Sequence, residues 1–166
     1  MRRALIPVLA LVLGVLLLGV SCSDDDNGDV EQAWEATLSG GQETPPVTTT
    51  ASGTARFEVD SDGDDHIHFE ITVDNITNLT VGHIHFGAVG VPGPIIVSLI
   101  SNTPPVSGNE DFEGEIEVGD IMQNNNGITT LAQLRLAMSA GQTYVNLHTT
   151  QNPTGEIRGQ LSETSD

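Results

Sequence analysis

The segment GQTYVNLHTTQNPTGEIRGQL, residues 141–161, constrains the fold of this chain more than any other stretch. Side chains along a β-strand alternate between its two faces. Val145 and Leu147 therefore share one face of the first half of the segment, and both are apolar. The opposite face is polar and carries Tyr144, Asn146 and His148. This alternation predicts a strand with one side in a hydrophobic core.

A turn and a second strand follow. The tetrapeptide Asn152-Pro153-Thr154-Gly155 is typical of a tight turn, because proline fixes φ and glycine accepts a positive φ. Ile157 and Leu161 then supply an apolar face. We therefore expect a buried hairpin with a polar stripe on its other side, formed by Tyr144, Asn146, His148, Glu156 and Arg158.

A second histidine-bearing segment, GHIHFG at residues 82–87, repeats this design. Its alternation places His83 and His85 on one strand face. Ile84 and Phe86 lie on the other face and are expected to reach the core.

These histidines are candidate metal ligands. Two imidazoles on one strand face, together with His148 on a neighbouring strand, would close a three-nitrogen site. Imidazole suits copper or zinc, so one of these ions is the implied cofactor of His83, His85 and His148. Glu156 or Asn146 could accept a hydrogen bond from a ring and fix its tautomer.

Each of these residues also has a purely structural interpretation. The three histidines could form a buried polar network that bridges strand backbones and hydroxyls such as Thr149. Glu156 and Arg158 could form an ion pair or a hydrogen-bonded anchor for the turn, or contribute to binding. His66 and His68 are expected on a solvated strand face.

The chain from about residue 31 onward has the pattern of an all-β protein. Short alternating segments separated by turn residues predict strands at residues 33–39, 54–59, 66–74, 81–86, 95–100 and 112–118. One helix is predicted at about residues 131–140, with Thr130 and Gln133 as a capping box. The expected fold is an antiparallel Greek-key-like β-sandwich with one short helix.

The N-terminal residues predict export. Residues 1–21 have two arginines followed by an apolar run that is too short for a stable membrane span, as in a secretory signal peptide. Cys22 follows directly and is the only cysteine, which excludes an intramolecular disulfide and predicts lipid attachment. The alternative is an ordinary signal peptide followed by an unmodified cysteine. Residues 22–30 then form an acidic tether, 31–162 the domain and 163–166 a tail.

These features predict a location and exclude one class of partner. We expect a lipid-anchored protein of the cell envelope, in the outer membrane and exposed at the surface, with no other membrane contact. The acidic run after Cys22 resembles the surface-export signal of some Gram-negative lipoproteins, or is a simple spacer. A formal net charge of −18 without any lysine disfavours nucleic acid as a partner. A protein or glycan ligand at the cell surface remains the expected partner.

Three motifs together resemble one known family. They are LSGGQETPPV at residues 38–47, GHIHFG at 82–87 with Gly93-Pro94, and YVNLHT at 144–149 with NPTGEIRG at 152–159. They are similar to the CHRD (chordin-type) domain over about residues 33–161. This resemblance implies an extracellular β-sandwich. The family includes secreted antagonists of growth factors and many single-domain bacterial proteins, and this chain resembles a bacterial lipoprotein of the latter kind.

A weaker resemblance is to copper-zinc superoxide dismutases, which are Greek-key sandwiches with a His-x-His strand. Their two-metal site uses six histidines, whereas this chain has five, and it cannot form the disulfide that stabilises them. We therefore expect no dismutase activity and assign no catalytic residue. The favoured hypothesis is a surface-anchored, non-enzymatic binding or structural module. The alternative is a copper- or zinc-binding metalloprotein.

Overall fold

A computed structural model describes residues 30–60, 66–122 and 126–164 of the chain. The predicted signal peptide, Cys22, nearly all of the acidic tether and the last two residues of the tail lie outside these ranges. No helix within the described ranges is long and apolar enough to cross a membrane.

The described residues form seven strands and one α-helix, joined by turns and two short 3-10 helices. The strands are β1 (Val30–Ser39), β2 (Ser52–Asp60), β3 (Ile67–Phe86), β4 (Ile95–Ile116), β5 (Thr143–Thr149), β6 (Ile157–Gln160) and β7 (Ser162–Glu163). Helix α1 spans Leu131–Ser139, and the 3-10 helices span Gly40–Gln42 and Val118–Asp120. The predicted all-β class with one short helix is confirmed.

The strands close on themselves. All pairings between the strands are antiparallel. The strand order is β2-β1-β6-β5-β3-β4, and β7 pairs with β1 outside this order. Because β2 also pairs with β3, the strands β2, β1, β6, β5 and β3 form a five-strand, barrel-like ring. This arrangement takes the place of the Greek-key-like sandwich that the spacing of the segments suggested.

The length of β3 explains the closure. The sequence predicted separate strands at 66–74 and 81–86, but residues 67–86 form one strand. Its first half pairs with β2 and its second half with β5, so a single strand joins the two sides of the ring. Between the halves the register against β4 shifts, and Asn75 and Asn78 have φ of 56° and 54°, a conformation that asparagine tolerates well.

The core consists of apolar positions that alternate along the strands, together with one face of α1. Trp34, Leu38, Phe57 and Ile71 are fully buried, and the core-facing residues of α1 are also buried. Strand β5 differs from the other long strands because every one of its residues is buried, so its polar face is also covered. The hairpin that dominates the sequence therefore carries buried polar side chains, and these define the candidate site.

Helix α1 is positioned by its ends. The Thr130 hydroxyl accepts a hydrogen bond from the backbone N–H of Gln133 at 3.2 Å, as predicted. The Gln133 side chain accepts from the N–H of Thr129 at 2.8 Å, one residue before the position that a capping box uses. Gly141, with φ of 63°, follows the helix and directs the chain into β5.

Candidate metal centre

Three imidazoles meet on the polar face of β3 and β5. His83 and His85 lie on β3, and His148 lies on the paired strand β5. Each offers a ring nitrogen, and the three nitrogens all lie within 4.8 Å of one another. The ring centroids are 5.0 Å apart for His83 and His148, and 5.7 Å apart for each of the pairs with His85. The structure thus brings together the three histidines that the sequence singled out.

Backbone carbonyls fix the orientation of two of the rings. His85 Nδ1 donates to the Gly93 carbonyl at 2.9 Å, and His148 Nδ1 donates to the Pro153 carbonyl at 3.2 Å. Because a carbonyl oxygen only accepts, the proton of each neutral ring lies on Nδ1. The Nε2 atoms of both rings therefore present a lone pair.

Three of the remaining four ring nitrogens are buried and have no hydrogen-bond partner within the part of the chain that the structure describes. They are His83 Nδ1, His85 Nε2 and His148 Nε2. Leaving one buried polar atom unpaired costs about 1–3 kcal/mol, so three in one cluster call for a ligand. Imidazole nitrogens of this kind are donors that copper and zinc accept. These residues therefore fit such an ion.

Burial keeps the imidazoles neutral. Burial, with smaller contributions from the neighbouring rings of His148 and His85, lowers the pKa of His83 from 6.5 to about 4. Burial also lowers the pKa of His85 and of His148, by more than their hydrogen bonds to carbonyls raise it. Since a metal binds the neutral imidazole, the cluster is in its ligating form at neutral pH.

Tyr144 supports His85 in two ways. Its ring stacks on the His85 imidazole, with centroids 5.0 Å apart and planes at 12°. Its hydroxyl accepts a hydrogen bond from the N–H of Gly93 at 3.0 Å, and the carbonyl of the same Gly93 holds His85. A Cβ at Gly93 would lie 1.6 Å from the Phe86 carbonyl oxygen, so this close approach requires glycine.

Arg158 fastens the loop that carries Gly93. Its guanidinium lies over the Tyr144 ring, 3.4 Å from the centroid, in a cation–π contact. Its Nη2 donates to the carbonyls of Ala88 and Val91 at 3.0 and 3.1 Å. Arg158 thus holds Tyr144 and the loop in place, and these in turn position His85.

Glu156 organises the turn after β5 and does not contact the imidazoles in the way that was expected. Its carboxylate accepts hydrogen bonds from Thr49 at 2.7 Å, Thr149 at 2.6 Å and Asn152 at 3.1 Å. Burial raises its pKa, but these three donors outweigh burial and the net pKa is lowered. The acceptors that fix the tautomers of His85 and His148 are backbone carbonyls, not Glu156 or Asn146.

Sequence reasoning missed Glu43, which is buried beside this site. It follows the 3-10 helix Gly40–Gln42 and is 8% exposed. Burial raises its pKa from 4.5 to about 7, although the charge of Arg158 and contact with Asn146 act in the opposite direction. Its Oε1 has no partner among the described residues. The only signal was one acidic residue inside LSGGQETPPV, where nothing distinguished it from a solvated glutamate.

His66 and His68 do not belong to the cluster. The side chain of His68 is 38% exposed, and its Nε2 lies 3.7 Å from a carboxylate oxygen of Glu70 on the outer face of β3. In the described ranges, the three-histidine group is the one set of metal-ligating side chains that converges, and no carboxylate or thiol joins it.

Comparison with known proteins gives one result. The CHRD domain matches residues 34–161, which is most of the chain and includes all three histidines of the cluster. No curated protein and no solved structure matches the chain. The chain therefore belongs to the CHRD domain family.

Proposed function

We propose that this CHRD-domain protein is a binding module of the cell envelope whose ligand is a copper or zinc ion held by His83, His85 and His148. The proposal unites the two hypotheses from the sequence, because the metal takes the role of the bound partner. It rests on one observation. Three buried imidazole nitrogens without a hydrogen-bond partner among the described residues belong to rings that converge.

The distances favour an ion of this size. Zinc–nitrogen bonds of about 2.0–2.1 Å place two ligand nitrogens no more than about 4.2 Å apart. The nitrogens of the cluster lie within 4.8 Å of one another, so each needs to shift by less than about 1 Å to bind. Two of the rings are already held in the ligating tautomer by Gly93 and Pro153. Three histidines leave one coordination position of zinc for a water or a small ligand.

Metal content provides the first test. Protein refolded with copper or zinc and then freed of excess ion should retain about one ion per chain by elemental analysis, as one three-nitrogen site requires. His85→Ala should retain much less, because it removes one of three ligands. His68→Ala is the matched control, since it deletes an imidazole on the solvated face of the same strand. Equal metal contents in the wild type and His85→Ala would contradict the proposal and favour a buried polar network.

We also propose that the domain is lipid-anchored through Cys22 and that residues 1–21 are removed on export. The support is the apolar run that ends at Val20, two residues before the single cysteine. Cys22→Ser should therefore move the protein from the membrane fraction into the soluble extracytoplasmic fraction. Immunoblotting of the two fractions measures this, and an unchanged membrane fraction would rule out the anchor.

A further inference from the structure

Strand β4 has an open edge. It stands last in the strand order and pairs with β3 along one side. Among the described residues, its other side is paired only near the start of the strand, where Val97 bridges to Ile121 and the Ile96 carbonyl accepts from the N–H of Met122 at 2.9 Å. The rest of that side presents backbone N–H and C=O groups with which an added strand can pair.

Residues 110–116 are the part of this edge that best fits an added strand. They form seven consecutive pairs with β3 without a shift of register, so their backbone is regular. At roughly 3.3 Å per residue they extend over about 23 Å. The stretch before them has several shifts of register and contains Pro104 and Pro105, which lack a backbone N–H. A partner strand therefore finds continuous pairing only at residues 110–116.

A row of carboxylates follows the same segment. Asp111, Glu113 and Glu115 are exposed and occupy alternate positions, so they share one face of β4. None of the three forms an ion pair within 4.0 Å in the described ranges. Glu113 also lies directly opposite Glu70 of β3, and like charges in such a pair destabilise a sheet. Cations placed along this row would relieve the repulsion.

A groove between β3 and β4 gives the row a shape as well as a charge. Its volume is about 540 Å³, and its walls are formed by Glu70, Ile71, Thr72, Asp111, Phe112 and Glu113. The lining thus combines apolar residues with three carboxylates. This combination suits the side chain of lysine or arginine, which has an apolar stem and a charged end.

We propose that residues 110–116 bind an extended cationic segment of a partner protein as an added strand, with lysine or arginine at alternate positions facing Asp111, Glu113 and Glu115. Backbone pairing supplies affinity in such complexes, and the alternate side chains supply specificity. A second copy of this chain does not fit the edge, because it would bring the same carboxylates opposite one another in a protein with a formal net charge of −18.

The first test is calorimetry with a synthetic heptapeptide of alternating lysine and threonine, at about 0.15 M salt so that distant charges are screened. It should bind, and a peptide of the same composition with contiguous lysines should bind at least threefold more weakly. Two further peptides carry N-methyl groups on the threonine amides or on the lysine amides. Because alternate N–H groups of a strand point to opposite sides, only one of the two should lose affinity, by at least tenfold.

The second test uses variants of the protein. Asp111→Asn/Glu113→Gln should lower affinity for the alternating peptide at least threefold, because two carboxylates of the row lose their charge. Glu35→Gln/Glu163→Gln is the matched control, since it removes the same charge from exposed positions on β1 and β7. It should bind as the wild type does. Hydrogen exchange of the amides in residues 110–116 should slow when the peptide is added.

Several results would overturn the proposal. They are no binding of the alternating peptide, equal binding of the peptide with contiguous lysines, equal binding of both N-methylated peptides and the parent, or equal loss of affinity in the two double variants. Sedimentation of the wild type should show a monomer. A dimer with residues 110–116 protected from exchange would assign this edge to a second copy of the chain instead.

Discussion

Copper or zinc should raise the free energy of unfolding of the wild-type protein by about 2.7 kcal/mol at a hundredfold excess over the dissociation constant, and by about 4.1 kcal/mol at a thousandfold excess. The gain follows from mass action, because the three imidazoles converge only in the folded chain. Denaturant unfolding with and without the ion, near pH 8 where imidazole is neutral, measures it. His148→Ala should lose most of the gain, since it removes the one ligand that β5 supplies.

The same variants separate a metal site from a structural network of histidines. If the histidines only support the fold, His148→Ala lowers stability by about 1–3 kcal/mol for the partners it leaves unsatisfied, equally with and without metal. His68→Ala should show the full metal gain, because this ring lies outside the cluster. A metal gain that is the same in the wild type and His148→Ala would show that the ion binds elsewhere.

The histidine cluster could be predicted from the sequence because it depends on the alternation of side chains along strands. Alternation alone places His83 and His85 on one face, and the hairpin pattern places His148 on the polar face of β5. The pairing of β3 with β5 then brings these faces together. A local rule and one correct pairing were sufficient, and neither required knowledge of the whole topology.

The closure of the strands into a ring could not be predicted in this way. Closure depends on β3 continuing through Asn75 and Asn78, where the sequence reads as a turn. Asparagine occurs both in turns and at positive-φ positions within bulged strands, so the residue type does not distinguish the two. The pairing of both halves of β3 with other strands decides the outcome, and that pairing joins residues far apart in the chain.

The contacts of the buried polar side chains were also beyond sequence reasoning. Arg158 and Glu156 are two residues apart in the sequence, which suggested an ion pair. In the structure Glu156 instead binds Thr49, Thr149 and Asn152. Arg158 binds loop carbonyls and the Tyr144 ring. These partners come from loops whose paths depend on the tertiary fold.

Glu43 carries the second large prediction, because its carboxyl is buried and its pKa is raised from 4.5 to about 7. A raised pKa means that the folded protein binds this proton more tightly than the unfolded chain does. Its contribution to stability is therefore fully present below about pH 4.5 and is lost as pH rises through about 7. One pKa unit corresponds to about 1.36 kcal/mol, so the loss on full ionisation is about 3 kcal/mol.

Glu43→Gln keeps the shape of the side chain but cannot ionise, and it should therefore be free of this loss. The variant should gain about 3 kcal/mol relative to the wild type between about pH 4.5 and pH 8, measured by urea unfolding with a chelator present to exclude metal effects. The other carboxylates affect both proteins alike and cancel in the difference. Glu113→Gln, which changes an exposed glutamate on β4, should leave the wild-type pH dependence in place. Parallel stability curves for the wild type and Glu43→Gln would mean that the folded chain does not hold the Glu43 proton more tightly than the unfolded chain.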